Sequence, residues 1–168
     1  MAVIEKNKAI EAIISVMATD LKTYLEERNR KNVVIVGVHT GGVWVAERLH
    51  KLLKVKDPLG ELNIAFYRDD FSQIGMHPSV APSNLPFDVD GRDIVLVDDI
   101  LYTGRTIRAA LNELFDYGRP ASVTLTVLVD RCEQELPFKA DVVGTTMSLL
   151  KGEHVKLTGP KTLSLVTK

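Results

Sequence analysis

The chain has 168 residues, 45% of them hydrophobic, and its formal net charge at pH 7 is −1. This length suits one domain with a substantial core, and the near-neutral charge argues against general electrostatic attraction to nucleic acid or an anionic membrane. Its one cysteine, Cys132, excludes an internal disulfide and suits a reducing compartment, so we expect a cytoplasmic protein. No apolar run reaches the roughly 20 residues of a membrane helix, and we expect no signal peptide.

Helical periodicity predicts the first element, at residues 7–28. Its apolar face is formed by Ile10, Ile13, Ile14, Met17, Leu21, Tyr24 and Leu25. An amphipathic helix with this spacing packs one face on a core. We therefore assign residues 7–28 a structural role.

A short apolar run predicts a buried strand at residues 33–38, and a helix follows through residues 45–53. The turn between them reads His39, Thr40, Gly41 and Gly42. Paired glycines at a strand-to-helix turn let an anion approach bare backbone. Gly-Gly also serves in tight turns, so this signal is weak unless a second anion site lies nearby.

A strand is predicted at residues 62–67, followed by an irregular run over residues 68–90 that contains three prolines. Structureless loops of this length in a compact domain are usually lids or binding loops. Arg68, at the start of this loop, is a candidate to bind anion oxygens when the loop closes. The alternative is a mobile loop whose charged residues are simply solvated.

Residues 94–106 form the most informative stretch of the chain. Four consecutive apolar residues, Ile94 to Val97, predict a strand buried on both faces. Two carboxylates, Asp98 and Asp99, end this run, and the small polar turn of residues 103–106 precedes an amphipathic helix. In an open parallel sheet, ligands bind at the carboxyl ends of the strands, where this turn lies.

The chemistry of this turn suits a phosphorylated sugar. Thr103, Gly104, Arg105 and Thr106 present backbone N–H groups at a helix N-terminus, which is a ready anion site. Asp98 and Asp99 are better placed to accept hydrogen bonds from sugar hydroxyls, or to hold hydrated Mg²⁺ through an outer shell. A phosphorylated ribose fits both halves. The alternative is a capped helix beside two solvated acids.

Residues 94–106 resemble the 5-phosphoribosyl diphosphate (PRPP) binding motif of type I phosphoribosyltransferases. This resemblance implies an α/β fold over residues 1–168, with a central, mostly parallel sheet flanked by helices and a flexible lid loop. It also implies that Ile100, Leu101 and Tyr102 join residues 103–106 in binding the 5-phosphate, and that residues 39–42 bind diphosphate. Purine enzymes of the superfamily commonly carry an acid at the position of Tyr102, so the tyrosine favours a pyrimidine base.

Several further segments resemble the PyrR family of pyrimidine operon attenuators, which also act as uracil phosphoribosyltransferases. The resemblance rests on residues 67–70, 77–78, 83–88, 96–110 and 116–120. It implies PRPP and uracil as substrates, UMP as product, Mg²⁺ carried by PRPP with no direct protein ligand, and a homodimer or larger homo-oligomer. By the same resemblance, Asp98, Asp99 and Arg68 are catalytic, and Asp130, Arg131, Val143 and Gly144 border the base.

The chain departs from these relatives at two places. The diphosphate loop usually carries Arg or Lys where Gly41 stands, and one lost charge-assisted hydrogen bond costs about 1.5–3 kcal/mol. The basic face that binds messenger RNA in the family is also missing, since residues 131–145 carry two cations against three carboxylates. RNA binding is therefore disfavoured. Two alternatives remain: a non-catalytic regulator that senses PRPP or UMP, and a transferase for another base.

Overall fold

The computed structural model describes residues 2–64 and 82–168. The helices among them are α1 (Asn7–Glu27), α2 (Gly41–Leu53) and α3 (Arg105–Asp116). The strands are β1 (Ala2–Glu5), β2 (Val33–Val38), β3 (Gly60–Leu62), β4 (Asp93–Leu101), β5 (Ser122–Asp130), β6 (Val142–Thr146), β7 (Val155–Thr158) and β8 (Ser164–Thr167). None of these helices is long and apolar enough to cross a membrane.

The core is a five-stranded sheet in the order β3-β2-β4-β5-β6, and every described pairing in it is parallel. Its central strands are continuous apolar runs because both faces are covered. Helices α1 and α2 bury one face, and α3 buries the other. The predicted α/β class and parallel sheet are thus confirmed.

A second, three-stranded antiparallel sheet has the order β1-β8-β7. Sequence patterns predicted no strand at the N-terminus. Strand β1 escaped prediction because its residues are mostly exposed and show no alternation. Three buried leucines from the C-terminal part of the chain, Leu157, Leu163 and Leu165, join the core on the side of α1 and α2.

The strand predicted at residues 62–67 is displaced. Among the described residues the strand covers Gly60–Leu62, and Asn63 and Ile64 lie outside it. The cause is the partner strand: β2 pairs Val36 with Gly60 and Val38 with Leu62, and it ends at Val38. The lid predicted over residues 68–90 falls largely outside the described residues, and so does Arg68.

The sheet order places a topological switch between β2 and β4. Strand β3, which follows β2 in the chain, lies on one side of β2, and β4 lies on the other. Open α/β sheets bind ligands in the crevice at such a switch, beyond the carboxyl ends of the strands. The turn after β2 and the turn after β4 flank this crevice.

Two fully buried threonines on β5 provide a matched test of the sheet's polar interior. Thr124 Oγ1 accepts a 2.9 Å hydrogen bond from Arg30 Nη1. Thr126 Oγ1 has no hydrogen-bond partner among the described residues. A buried hydroxyl without a partner retains its desolvation cost. We expect Thr126→Val to raise the free energy of unfolding by about 1 kcal/mol, and Thr124→Val to lower it by about 1–2 kcal/mol.

Urea denaturation of the two variants and the parent protein measures both effects. The same substitution on the same strand controls for volume and β-propensity. Equal losses of stability in both variants would contradict this account of the Thr126 hydroxyl.

Candidate active site at the ends of β2 and β4

The N-terminus of α2 lies directly on the end of β4. A Cβ atom on Gly42 would come within 2.7 Å of the Val97 carbonyl oxygen and 3.0 Å of Asp98 Cα. A Cβ atom on Gly41 would overlap the Asp99 carboxylate. Both glycines are therefore needed for this approach, because Cβ atoms do not pack at such distances. The predicted diphosphate loop is therefore brought against the two carboxylates of β4.

The two carboxylates on β4 have different surroundings. Asp98 is 4% exposed, and its Oδ1 accepts a 2.9 Å hydrogen bond from the Asp99 amide. Asp99 is partly exposed, and its Oδ1 accepts a 2.9 Å bond from the Ile100 amide. Each aspartate thus binds the backbone of the next residue, which fixes its carboxylate at the strand end. Asp99 has the more accessible carboxylate of the two.

The turn after β4 has the geometry of an anion cup. Gly104 precedes α3 with φ of +96°, a conformation that favours glycine. The Arg105 amide donates to Thr103 Oγ1 at 3.3 Å. Beyond it, the Thr106 and Ile107 amides have no intrahelical acceptor, whereas the Arg108 amide donates to the Gly104 carbonyl oxygen at 2.9 Å. This predicted phosphate loop, residues 100–106, therefore presents N–H groups at the start of a helix, close to Asp98 and Asp99 in the chain.

Residues 131–138 pack against this loop and support it, and we call this segment the buttress. Sequence patterns did not reveal this support. The Arg131 amide donates to the Leu101 carbonyl oxygen, and the Glu135 and Leu136 amides both donate to that of Thr103, each at 3.0 Å. Beneath Gly104, an added Cβ would lie 3.0 Å from the Phe138 ring. The one sequence feature that could have indicated this support is the presence of two apolar residues, Leu136 and Phe138, in a polar segment.

Arg131 is a buried cation in this buttress, with 6% exposure. Its guanidinium lies 3.8 Å from the centroid of the Tyr102 ring, and its Nη2 lies 3.1 Å from Glu133 Oε1. Tyr102 remains 40% exposed. A cation–π contact with Arg131 therefore stabilises the position of the Tyr102 ring, and the Glu133 carboxylate stabilises the position of Arg131.

Asp130, the second residue predicted near the base, organises the same segment. Its Oδ1 accepts hydrogen bonds from the Cys132 amide at 2.8 Å and from Gln134 Nε2 at 2.7 Å. The carboxylate therefore stabilises the turn that carries Arg131. Both residues lie at the carboxyl end of β5, beside the phosphate loop.

The other two residues predicted near the base lie within β6. Val143 pairs with Val127, which in turn pairs with Asp98 on β4. Gly144 lies under α1, where an added Cβ would approach Met17 and Ile13. The face of β6 on which a Gly144 side chain would lie is therefore covered by α1.

The turn after β2 carries His39 and Thr40. His39 Nε2 lies 3.3 Å from Glu61 Oε1, and its amide donates to the Leu62 carbonyl oxygen at 2.9 Å. Thr40 precedes α2 and makes no side-chain capping bond to it. Within residues 2–64 and 82–168, no cluster of three or more His, Cys, Asp or Glu side chains is arranged to hold a metal ion.

Tyr24 and Asp141 lie at the other end of the sheet, before β6 begins. Tyr24 donates a 2.8 Å hydrogen bond to Asp141 Oδ1, and Asp141 Oδ2 accepts one from the Leu125 amide. Burial, with the hydrogen bond to Asp141, raises the pKa of Tyr24. This contact joins α1 to the sheet and lies apart from the loop cluster.

The buttress offers a matched pair of ion pairs for a stability test. Glu133 holds the buried Arg131, whereas Glu135 pairs at 2.8 Å with Arg105, whose side chain is 48% exposed. A buried cation that loses its carboxylate costs far more than an exposed one. We expect Glu133→Gln to lower the free energy of unfolding by about 1–3 kcal/mol, and Glu135→Gln by at most about 1 kcal/mol.

Chemical denaturation at neutral pH provides the measurement. The interpretation fails if the two variants lose equal stability, because burial of Arg131 would then make no difference.

Comparison with known proteins agrees with this architecture. Residues 2–158 match the model of the phosphoribosyl transferase domain. The chain is 61% identical to the bifunctional protein PyrR of Nitrosococcus oceani over 92% of this chain and 88% of that one. It is 59% identical to the PyrR of Pseudomonas paraeruginosa over 90% of this chain and 89% of that one.

Among solved structures, the hypoxanthine phosphoribosyltransferase of Trypanosoma cruzi superposes with a TM-score of 0.71 at 18% identity, covering 99% of this chain and 95% of that one. At that identity the similarity establishes the fold alone. It confirms the predicted type I phosphoribosyltransferase fold. The match to the family model and the identity to the two PyrR relatives agree with the fold and its crevice between β2 and β4. The chain belongs to the PyrR family of phosphoribosyl transferase domain proteins.

Proposed function

We propose that the chain is a uracil phosphoribosyltransferase, which forms UMP and diphosphate from uracil and PRPP, and that it also regulates pyrimidine biosynthesis genes. The observation that carries the proposal is the contact of the glycine turn before α2 with Asp98 and Asp99 on β4, the strand that runs directly into the second backbone anion loop. A molecule with phosphate at one end, diphosphate at the other and hydroxyls between them matches this arrangement. Family membership and the bifunctional relatives support both roles.

In the proposed complex, the 5-phosphate binds the amides of residues 103–106 and the ribose hydroxyls face Asp98 and Asp99. The diphosphate lies along residues 40–42 at the start of α2, with Arg68 as a further candidate ligand outside the described residues. In this proposal PRPP enters as its Mg²⁺ complex, so that the metal is carried by the substrate.

The proposed reaction is a displacement at C1 of the ribose. The C1–oxygen bond to diphosphate breaks, N1 of uracil forms the new bond to C1, and the N1 proton is released. The protein contributes chiefly by positioning the reactants and by stabilising charge on the leaving diphosphate. Backbone N–H groups at a helix N-terminus suit that task because they are fixed before the reaction.

The base lies on the side of Tyr102 in this proposal. The Tyr102 ring is supported by Arg131 and partly exposed, and Asp130 stabilises the turn that carries Arg131. Val143 and Gly144 are on β6, at the edge of the five-stranded sheet. An edge strand has backbone N–H and C=O groups that no neighbouring strand pairs, and we propose that those of Val143 and Gly144 form hydrogen bonds with uracil. A homodimer or larger homo-oligomer is also part of the proposal.

A direct assay of the function is UMP formation from labelled uracil, PRPP and Mg²⁺. We expect the double variant Asp98→Asn/Asp99→Asn to lower kcat/KM at least about 100-fold, which corresponds to about 2.7 kcal/mol of transition-state stabilisation. Asp116→Asn removes one exposed carboxylate at the end of α3 and serves as the charge control. Its activity should equal that of the parent protein.

Two results would contradict parts of this proposal. Undiminished turnover in the double variant would remove Asp98 and Asp99 from the site. Tight UMP binding without any turnover would instead favour a regulator that senses the nucleotide, the class that the missing loop cation at Gly41 supports.

Regulation through RNA is disfavoured by the charges on the buttress. Glu133 and Glu135 engage Arg131 and Arg105 in ion pairs, so these acids partly neutralise the cations there. On α1, Glu11 pairs with Arg48, and Ala12 and the 61%-exposed Val16 carry no charge. Affinity for RNA depends largely on free cations that neutralise phosphates.

We therefore predict weak RNA binding, with a Kd no tighter than about 1 µM at physiological salt, the non-specific range. Filter binding of a structured RNA in a salt series gives the value. Nanomolar binding with a steep salt dependence would show that another surface supplies the cations.

A further inference from the structure

A groove crosses the amino ends of β2 and β4, at the opposite end of the sheet from the candidate active site. It consists of two adjoining cavities of about 370 and 340 Å³, and both are lined by Val33 at the start of β2 and by Val55 after α2. Helix α2 begins at Gly41 beside Asp99 and ends at Leu53 in this groove. The groove therefore lies about 18 Å along the axis of α2 from the crevice proposed for PRPP.

Positive charge is concentrated in this groove, although the whole chain has a net charge of −1. The acids that line it are Glu26 and Asp57, and Asp57 pairs at 2.6 Å with Arg92. The other cations that line it are Lys22, Arg30, Lys31, Lys54 and Lys56. None of these five makes an ion pair with an acid in the described parts of the chain. We call this feature the basic groove.

The ends of the neighbouring helices do not account for these cations. Lysines often lie in the last turn of a helix, where they complement its partial negative charge. The last turn of α1 contains no basic residue, and the basic residues in the last turn of α2 are His50 and Lys51. Neither of these two lines the groove. The excess positive charge in the groove is therefore available to a bound anion.

The floor of the larger cavity is apolar. Val33, Leu53 and Val55 are partly buried there against the core, and Leu52 beside them is 49% exposed. An apolar group that covers these side chains gains free energy by displacing water from them.

Arg30 lies at the edge of this floor in a fixed position. It is half-buried, and its Nη1 donates a 2.9 Å hydrogen bond to Thr124 Oγ1. A guanidinium has further N–H donors, which suit the oxygens of a phosphate or carboxylate. The groove thus combines a preorganised cation with an apolar surface.

We propose that the basic groove binds a small organic dianion, a ligand with a compact apolar body and two negative charges at one end. Inorganic phosphate would contact the cations and leave the floor in water, and an uncharged ligand would do the reverse. Small-molecule sites commonly have this volume and this combination of an apolar lining with a few polar groups. The inference adds a second ligand site to the proposed function and does not depend on it.

Calorimetry with 1-naphthyl phosphate tests the proposal, because this probe joins a bicyclic apolar body to a phosphate dianion. UMP is present in excess to occupy the candidate active site. At low ionic strength we expect a Kd below about 1 mM and an affinity at least about tenfold higher than that for inorganic phosphate. The affinity should fall as salt is added, because the lysines are exposed.

Two pairs of matched variants locate the bound probe. Lys22→Gln/Lys54→Gln should weaken binding about tenfold, whereas Lys151→Gln/Lys161→Gln, which removes two exposed lysines elsewhere, should leave it unchanged. Leu52→Gln should weaken binding about threefold through the floor, and Leu150→Gln, at a position that is 74% exposed, should have no effect. All four variants change surface side chains, so the fold should be retained.

Four results would overturn the inference. They are a Kd for the probe weaker than about 1 mM, equal affinity for inorganic phosphate, equal effects of the groove variants and their controls, and displacement of the probe by a structured RNA at nanomolar concentration. The last result would make the groove a nucleic-acid surface. The variants locate the probe about 18 Å from the candidate active site, so a failure of UMP binding would contradict the proposed function alone.

Discussion

The close approach of α2 to the end of β4 is the contact on which the site depends. Gly42 lies over the backbone of Val97 and Asp98, and a Cβ atom on Gly37 would fall 2.8 Å from Val43 Cα. Helix α2 can therefore lie against β2 and β4 only while these positions lack side chains. Because α2 begins where β4 ends, one helix N-terminus and two carboxylates share a single crevice. A longer turn after β2 would separate them.

The phosphate loop depends on a different support. Its residues follow β4 directly, but the carbonyl oxygens of Leu101 and Thr103 are held by residues 131–136. Gly104 adopts a positive φ, and Phe138 and Leu136 pack so closely against it that an added Cβ would lie 3.0 Å and 3.3 Å from them. The turn after β5 thus fixes the turn after β4, and two adjacent parallel strands are sufficient to shape the cup. Buried Arg131 connects the two turns through Tyr102 and Glu133.

Sequence patterns predicted the parts of the fold that are determined locally. The apolar runs at Val33–Val38 and Ile94–Val97 are strands because both faces of the parallel sheet are covered, and that burial leaves a continuous apolar signal. The phosphate loop could also be predicted, because Gly104 and its neighbours form a turn that is determined by local sequence. Strand β1 and the bounds of β3 depend on partner strands, which no local pattern specifies.

The interactions that sequence patterns missed join residues far apart in the chain. Asp99 lies 58 positions beyond Gly41 in the sequence, so the filling of the Gly41 position by its carboxylate had no local signature. The pairing of Glu133 and Glu135 with two arginines was equally hidden, although the scarcity of cations in that segment was visible.

The central claim is that one crevice at the ends of β2 and β4 holds a phosphorylated ribose. The most direct measurement is a crystal structure of the protein with UMP. The account predicts the phosphate within hydrogen-bonding distance of the amides of residues 103–106, and the ribose hydroxyls facing Asp98 and Asp99. A nucleotide bound elsewhere, with this loop empty, would contradict it.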